Sequence, residues 1–327
     1  MERSVIVSSG NVQRWLTPLA AAIFFFLAIL ALRHLLQDIN YPKLFAEIKA
    51  TPTAILIAAT GSTIAGYIVY IGYDLSALAY IGRKLDLGLV SVGAYCGYAV
   101  ANTVGFNIIS GGAVRYRFYS RAGLEAIDIA RIAIFCSVSW GIGIHIIGIM
   151  ALLIRPEALA VITTVSARNL RWIGVTAILA LIGLSVFLAK RGLSFQLGKR
   201  TFTLPDFRIM LFQLLIAVLD ILFAGSCLYV LLANPAIPFL AFLLVYTMAI
   251  LAGITSHVPG GVGVFETVLL YAFDEAIPLE KLTAALLVYR AVYYLLPFVS
   301  AVIIMIGHEA RQRMNAEVLN KSTIKKI

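Results

Sequence analysis

The segment His257-Val258-Pro259-Gly260-Gly261-Val262-Gly263-Val264-Phe265-Glu266 directly follows the apolar span 237–256. A related pattern, Gly111-Gly112-Ala113-Val114-Arg115-Tyr116-Arg117, follows the span 88–109. Proline and paired glycines disfavour a continuous helix, and non-helical backbone at membrane depth is tolerated only where it is buried in protein or lines a wet cavity. We therefore predict helix breaks beside a polar path through the bilayer, marked by Gly111, Gly112, His257, Pro259, Gly260 and Gly261.

The composition indicates a membrane protein. Of 327 residues, 61% are hydrophobic and only 13% are charged, which is too little polar surface for a soluble globule. About 20 apolar residues cross the hydrocarbon core as a helix. We predict an all-α polytopic membrane protein with about eight transmembrane helices plus short re-entrant or broken helices, as one integral membrane domain over 1–327 without a soluble catalytic domain. The predicted spans are 17–36, 53–81, 88–109, 126–153, 171–189, 208–233, 237–256 and 282–307, with a shorter apolar segment at 262–277.

The net charge of +10 is distributed over short loops, which indicates orientation in a membrane rather than nucleic-acid binding. Basic residues near both ends place the N-terminus and the C-terminus in the cytoplasm, and the basic loop 190–208 is expected there too. One topology that satisfies these constraints makes 88–126 re-entrant and lets 262–277 cross as a short helix.

The sequence contains two stretches with the same order of features. Asp74 and Asp220 each lie inside an apolar span, and each is followed by another span and then by a glycine pair. Matched interruptions of this kind are typical of transporters built from repeats. The repeat halves would be 1–155 and 171–310, although glycine is also common at ordinary helix contacts in membranes.

Charged residues near the predicted breaks are the candidate site. Guanidinium groups bind phosphate oxygens, and carboxylates receive ammonium groups. We assign Arg115, Arg117 and Arg290 to a phosphate, and Asp74, Asp220 and Glu266 to an amine or to ion coupling. A structural alternative pairs Asp74 or Asp220 with Arg131 or Arg290. No metal site and no cofactor is predicted, since no metal-ligand or nucleotide-binding motif is present.

Three segments resemble the flippase domain of the multiple peptide resistance factor family, the bacterial lysylphosphatidylglycerol synthases/flippases. They are GGAVRYRFYSRAGL (111–124), HVPGGVGVFE (257–266), and the pattern Tyr289-Arg290 with Tyr293-Tyr294. The resemblance covers nearly the whole chain. It implies a protein of the bacterial inner membrane that moves aminoacylated phosphatidylglycerol between leaflets and so weakens binding of cationic antimicrobial peptides. It also makes a homodimer plausible.

Complete members of that family continue into an aminoacyl transferase domain, whereas this chain ends at Ile327. We therefore expect a transporter rather than an enzyme. Three other readings stay open: an ion-coupled carrier of a small metabolite, a lipid-modifying enzyme with His257 and Glu266 as acid and base, and a membrane partner of a separate synthase.

Overall fold

A computed structural model describes residues 40–160, 163–191, 194–197, 200–203, 206–234, 236–256 and 258–324. The predicted span 17–36 lies outside them. The α-helices are α1 (Tyr41–Ala50), α2 (Thr53–Tyr80), α3 (Leu87–Val104), α4 (Asn107–Tyr119), α5 (Ala126–Ile154), α6 (Glu157–Ala160), α7 (Ala167–Arg191), α8 (Phe207–Leu232), α9 (Phe239–Thr255), α10 (Val264–Phe273), α11 (Leu279–Tyr289) and α12 (Leu296–Ile324). A two-stranded antiparallel hairpin, β1 (Ser194–Leu197) and β2 (Arg200–Thr203), joins α7 to α8.

The prediction of an all-α polytopic membrane protein is confirmed. Within the described ranges, six helical segments are long and apolar enough to cross a bilayer: α2, α3, α5, the first 18 residues of α7, α8, and the stretch Leu279–Arg311 that runs from α11 into α12. Large apolar side chains on these helices are exposed, including Ile68 on α2 and Ile303 on α12. Lipid is the environment in which such exposure is favourable.

Helices α3 and α4 form an antiparallel helical hairpin, which we call the first hairpin. Its turn is Gly105-Phe106, where both residues have positive φ, 83° and 51°. The prediction that Gly111-Gly112 breaks the helix is therefore wrong: both glycines lie inside α4. They serve packing instead, since a β-carbon at Gly111 would lie 3.3 Å from the Ala101 side chain of α3.

Helices α9 and α10 form the second hairpin. Its turn contains a short 3-10 segment, Pro259–Gly261, and Gly260, Gly261 and Gly263 all have positive φ. Gly253 and Gly261 approach so closely that a β-carbon on either would lie within 3.3 Å of the other's α-carbon. The prediction that 262–277 crosses the membrane is wrong, because the ten residues of α10 extend only about 15 Å.

Helices α2 and α8 pack against each other along most of their length and run antiparallel. Thr63 contacts Cys227 at one end of the contact, and Ser76 hydrogen-bonds Gln213 at the other. The first hairpin follows α2 and the second follows α8, so the two hairpins start from opposite ends of the bundle. Their tips meet: a β-carbon at Gly260 would lie 3.0 Å from the Thr103 carbonyl oxygen.

The last apolar helix is interrupted by a π-helical segment, Arg290–Leu295, between α11 and α12. Wider π turns leave backbone carbonyls free for other donors. The carbonyl of Tyr293 accepts from Tyr67, and the carbonyl of Tyr294 accepts from Thr103, at 3.4 and 3.5 Å. The π segment therefore binds α2 and the tip of the first hairpin.

Replacing Gly143 by alanine is expected to destabilise the protein by about 1–3 kcal/mol through overpacking. A β-carbon there would lie 2.5 Å from the Ala217 side chain, at the contact between α5 and α8. Gly141 on the same helix is the matched control, because its β-carbon would meet nothing within 4 Å. Thermal unfolding in detergent should show a lower midpoint for Gly143→Ala only. Equal midpoints for the two variants would contradict the close packing.

Candidate functional site

Asp74 and Arg115 form an ion pair inside the first half of the chain. Asp74 lies on α2 and Arg115 on α4. Arg115 Nε lies 3.1 and 2.9 Å from the two Asp74 oxygens, and Nη2 lies 2.8 Å from Oδ1. The side chains are 0% and 1% exposed. A charge-assisted contact of this kind compensates two charges that would be very costly to bury singly.

The described residues around this pair shield it from solvent. Tyr119 donates to Asp74 Oδ2 at 2.6 Å, and the Arg115 guanidinium lies 4.5 Å from the ring centre of Tyr98. Gly97 of α3 allows close approach, since a β-carbon there would lie 3.6 Å from the guanidinium carbon. Arg115 is therefore unavailable to a ligand in this conformation, and its assignment to a phosphate requires the pair to separate.

Arg290 and Glu266 form the corresponding pair in the second half. Arg290 Nε donates to Glu266 Oε1 at 2.7 Å, and Nη1 donates to the Gly260 carbonyl at 2.9 Å. The other oxygen of Glu266 accepts from the Gly263 backbone N–H at 2.7 Å, which caps α10. Arg290 also lies 4.7 Å from the ring centre of Tyr294. This pair thus ties the π segment to the tip of the second hairpin.

The two pairs differ in exposure. The side chains of Arg290 and Glu266 are 19% and 10% exposed, whereas those of the Asp74–Arg115 pair are sealed. Partial exposure leaves donors on the guanidinium that an entering anion can reach. Of the predicted site residues, Arg290 and Glu266 are therefore the oppositely charged pair that a ligand can reach in this conformation.

Asp220 lies near the middle of α8 and is 2% exposed. It takes part in none of the ion pairs found between described residues. Its Oδ2 has no hydrogen-bond partner there either, although Tyr70, Tyr73 and Trp140 lie within interaction distance of the carboxyl group. Neither structural pairing considered from the sequence is present, because Arg131 pairs with Asp128 and Arg290 with Glu266.

The remaining predicted residues lie elsewhere. Arg117 is largely exposed and binds Glu309 of α12 at 2.9 Å, as Arg121 does at 3.3 Å. His257 lies outside the described residues, and Pro259 contributes backbone to the tip of the second hairpin. A groove of about 250 Å³ between α1, α8 and α11 is lined by Glu47 and Lys281 among others, but by none of the predicted site residues.

A buried tyrosine network, which was not predicted from the sequence, connects these features. Tyr70 hydrogen-bonds Tyr293 at 3.1 Å and receives a hydrogen bond from Asn102 at 3.0 Å. Asn102 lies at the tip of the first hairpin, and Tyr293 lies in the π segment. The helical spacing of tyrosines on α2 indicated a shared face, but an interface belt is the ordinary reading of such a stripe.

The family model for the lysylphosphatidylglycerol synthase transmembrane region matches residues 15–301. The chain belongs to this family. The match includes both hairpins, the antiparallel pair α2 and α8, and both ion pairs. The predicted family resemblance is confirmed, and the chain is a multi-pass membrane protein of a family described by its link to lipid synthesis.

Two relatives of this chain are similar to it in length. Protein slr0712 of Synechocystis is 31% identical over 89% of this chain and 91% of the relative. Inner membrane protein YbhN of Escherichia coli is 27% identical over 86% and 88%. Phosphatidylglycerol lysyltransferase of Staphylococcus aureus is 23% identical over 87% of this chain, but the match covers only 33% of that enzyme.

Proposed function

We propose that this protein moves a phospholipid with a headgroup of mixed charge between the leaflets of the bacterial inner membrane. The substrate is lysyl- or another aminoacyl-phosphatidylglycerol, and the consequence for the cell is weaker binding of cationic antimicrobial peptides. In this proposal the chain acts as a transporter without a chemical step. Both chain ends face the cytoplasm, and a homodimer or an association with a separate synthase is compatible with the activity.

One observation carries the proposal: the partly exposed Arg290–Glu266 pair lies where the tips of two helical hairpins meet. Its guanidinium suits the lipid phosphate, and its carboxylate suits the amines of the aminoacyl group. Moving such a headgroup through bare hydrocarbon would cost many kcal/mol, so a protein route must offer partners for both charges. A single residue of either sign would serve a phosphate or an amine, but not both.

The architecture supports the same conclusion. Hairpins that start from opposite ends and meet at their tips are the arrangement used by transporters with inverted repeats, in which the substrate binds at the interface of the halves. In this proposal the halves 1–155 and 171–310 are such repeats, and the antiparallel contact of α2 and α8 supports it. The family's description and the lysyltransferase relative point to the lipid.

The test is lipid movement in proteoliposomes that contain lysyl-phosphatidylglycerol. A membrane-impermeant amine reagent labels the outer leaflet, so the labelled fraction increases with time only where lipid crosses. We expect faster crossing of lysyl-phosphatidylglycerol with the protein than in protein-free vesicles. Arg171→Ala is the control variant, because Arg171 lies on the peripheral helix α7 in an exposed pair with Glu157.

Crossing at the protein-free rate would contradict the proposal. The alternative, an ion-coupled carrier of a small metabolite, uses the same charged residues. It predicts uptake of a soluble solute into the vesicles with no change in lipid labelling, so the same preparation separates the two functions.

A further inference from the structure

Asp220 is a buried carboxyl group without a counter-charge among the residues that the structure describes. Two buried or largely buried arginines already have carboxylate partners, Arg115 in Asp74 and Arg290 in Glu266. Asp220 makes no ion pair within the described part of the chain, and its Oδ2 makes no hydrogen bond there. Burying an isolated ionised carboxylate is so unfavourable that such a group normally neutralises instead.

The described side chains that interact with Asp220 are neutral. The titratable or polar groups close enough to interact with it are tyrosines of α2, α9 and the π segment and a tryptophan of α5: Tyr67, Tyr70, Tyr73, Tyr246, Tyr293 and Trp140. None of these side chains carries a positive charge. The environment therefore offers hydrogen bonding but no charge compensation.

Three other buried polar groups, on α2, α3 and α8, are also unsatisfied within the described residues. The hydroxyls of Tyr73 and Tyr98 and the Nε2 of Gln213 are buried and lack hydrogen-bond partners among the described residues. The rings of Tyr73 and Tyr98 lie 5.7 Å apart, and Gln213 lies on the same helix as Asp220. Unsatisfied buried polar groups are rare, and ordered water, strain or a functional role accounts for them.

We propose that Asp220 holds a proton in this closed conformation and exchanges it for the ammonium group of the lipid headgroup during transport. The exchange rests on the proposed function. The O–H bond of the carboxylic acid breaks, the proton passes to water at the open face, and the resulting carboxylate pairs with the ammonium group. When the lipid leaves, Asp220 takes up a proton again. Lipid and proton thus move in opposite directions.

The position of Asp220 explains how proton exchange is coupled to the conformational change. Tyr70, which faces Asp220, is hydrogen-bonded to Asn102 at the tip of the first hairpin and to Tyr293 near Arg290. Movement of the hairpin tips must break or rearrange these hydrogen bonds. The surroundings of Asp220 therefore change when the route opens, which is what proton coupling requires.

The experiment has two measurements on purified protein in lipid nanodiscs. The infrared difference spectrum of wild type minus Asp220→Asn at neutral pH should show a carboxylic-acid C=O band, because the subtraction removes the ester carbonyls of the nanodisc lipid. The control variant Asp206→Asn, at the exposed start of the same helix, should keep it. Addition of lysyl-phosphatidylglycerol in weakly buffered solution should then release about one proton for each lipid bound. Asp220→Asn should bind the lipid more weakly and, at a lipid concentration raised to reach the same occupancy, should release almost no protons.

Each outcome is decisive. Absence of the band in the wild type overturns the inference whether or not lipid is transported. A band without proton release on lipid binding overturns the exchange and makes Asp220 a structural acid. If the wild type binds no lysyl-phosphatidylglycerol although the band is present, the proposed function fails and the exchange fails with it. Loss of the band in Asp220→Asn at unchanged thermal midpoint excludes misfolding as its cause.

Discussion

Replacing Arg115 by methionine is expected to lower the free energy of unfolding by about 3–5 kcal/mol, because it leaves the Asp74 carboxylate buried without a counter-charge. The pair makes three short nitrogen–oxygen contacts and is sealed from solvent. Asp74→Leu should be similarly destabilising, since it leaves the Arg115 guanidinium buried without a counter-charge. The measurement is an unfolding titration in mixed detergent micelles.

The double variant Asp74→Leu with Arg115→Met is the informative control. Replacing a whole buried ion pair by apolar side chains of similar volume is often close to neutral, so the double variant should be more stable than either single one. Arg171→Met provides the exposed comparison, with an expected cost below about 1 kcal/mol. Single variants as stable as Arg171→Met would show that the pair does not bear on stability.

Replacing Arg290 by alanine is expected to slow lipid crossing at least about tenfold, which corresponds to the loss of one charge-assisted hydrogen bond of about 1.5–3 kcal/mol. The same change removes the contacts from the π segment to Glu266 and to the Gly260 carbonyl. Arg290→Lys should recover part of the rate at most, because one ammonium group cannot reproduce the two directed contacts of a guanidinium. The assay is the labelling of lysyl-phosphatidylglycerol in proteoliposomes.

A purely structural role for Arg290 makes a different prediction. It would lower the unfolding midpoint while the crossing rate per folded molecule stayed at the wild-type value. Glu266→Gln separates the roles further, because it keeps a side-chain oxygen to cap α10 but removes the charge that would receive the amine. Wild-type crossing by both Arg290→Ala and Glu266→Gln would refute the assignment of this pair to the headgroup.

The spans were predictable because their signal is local. Runs of apolar residues determine the helices, and the described spans begin and end within a few residues of the predicted ones. Pro259-Gly260-Gly261 is likewise a local signal, since glycine adopts positive φ freely. The turn of the first hairpin was not predictable, because it places Phe106 at positive φ, which a bulky residue rarely adopts. Only the surrounding packing can stabilise that choice.

The partners of the charged residues could not be read from the sequence either. Asp74 and Arg115 lie on different helices of the first half, and nothing in their spacing distinguishes Arg115 from Arg117, which faces outward to Glu309. The helical spacing of Tyr67, Tyr70 and Tyr73 on α2 does not tell whether this face meets a membrane interface or the protein interior, and the structure shows that all three are buried. Their hydrogen bonds depend on Asn102 and Tyr293, which belong to other helices. Such sites are defined by tertiary contacts.

The contact between α2 and α8 also has a consequence for biogenesis. Thr63 and Ser76 on α2 find their partners on α8, a helix that the ribosome has not yet made when α2 enters the bilayer. Until α8 is inserted, the two hydroxyls can bond the carbonyls of Ala59 and Tyr73 in their own helix, as they also do in the folded protein. The central contact of the bundle is therefore completed only when the second half of the chain enters the bilayer.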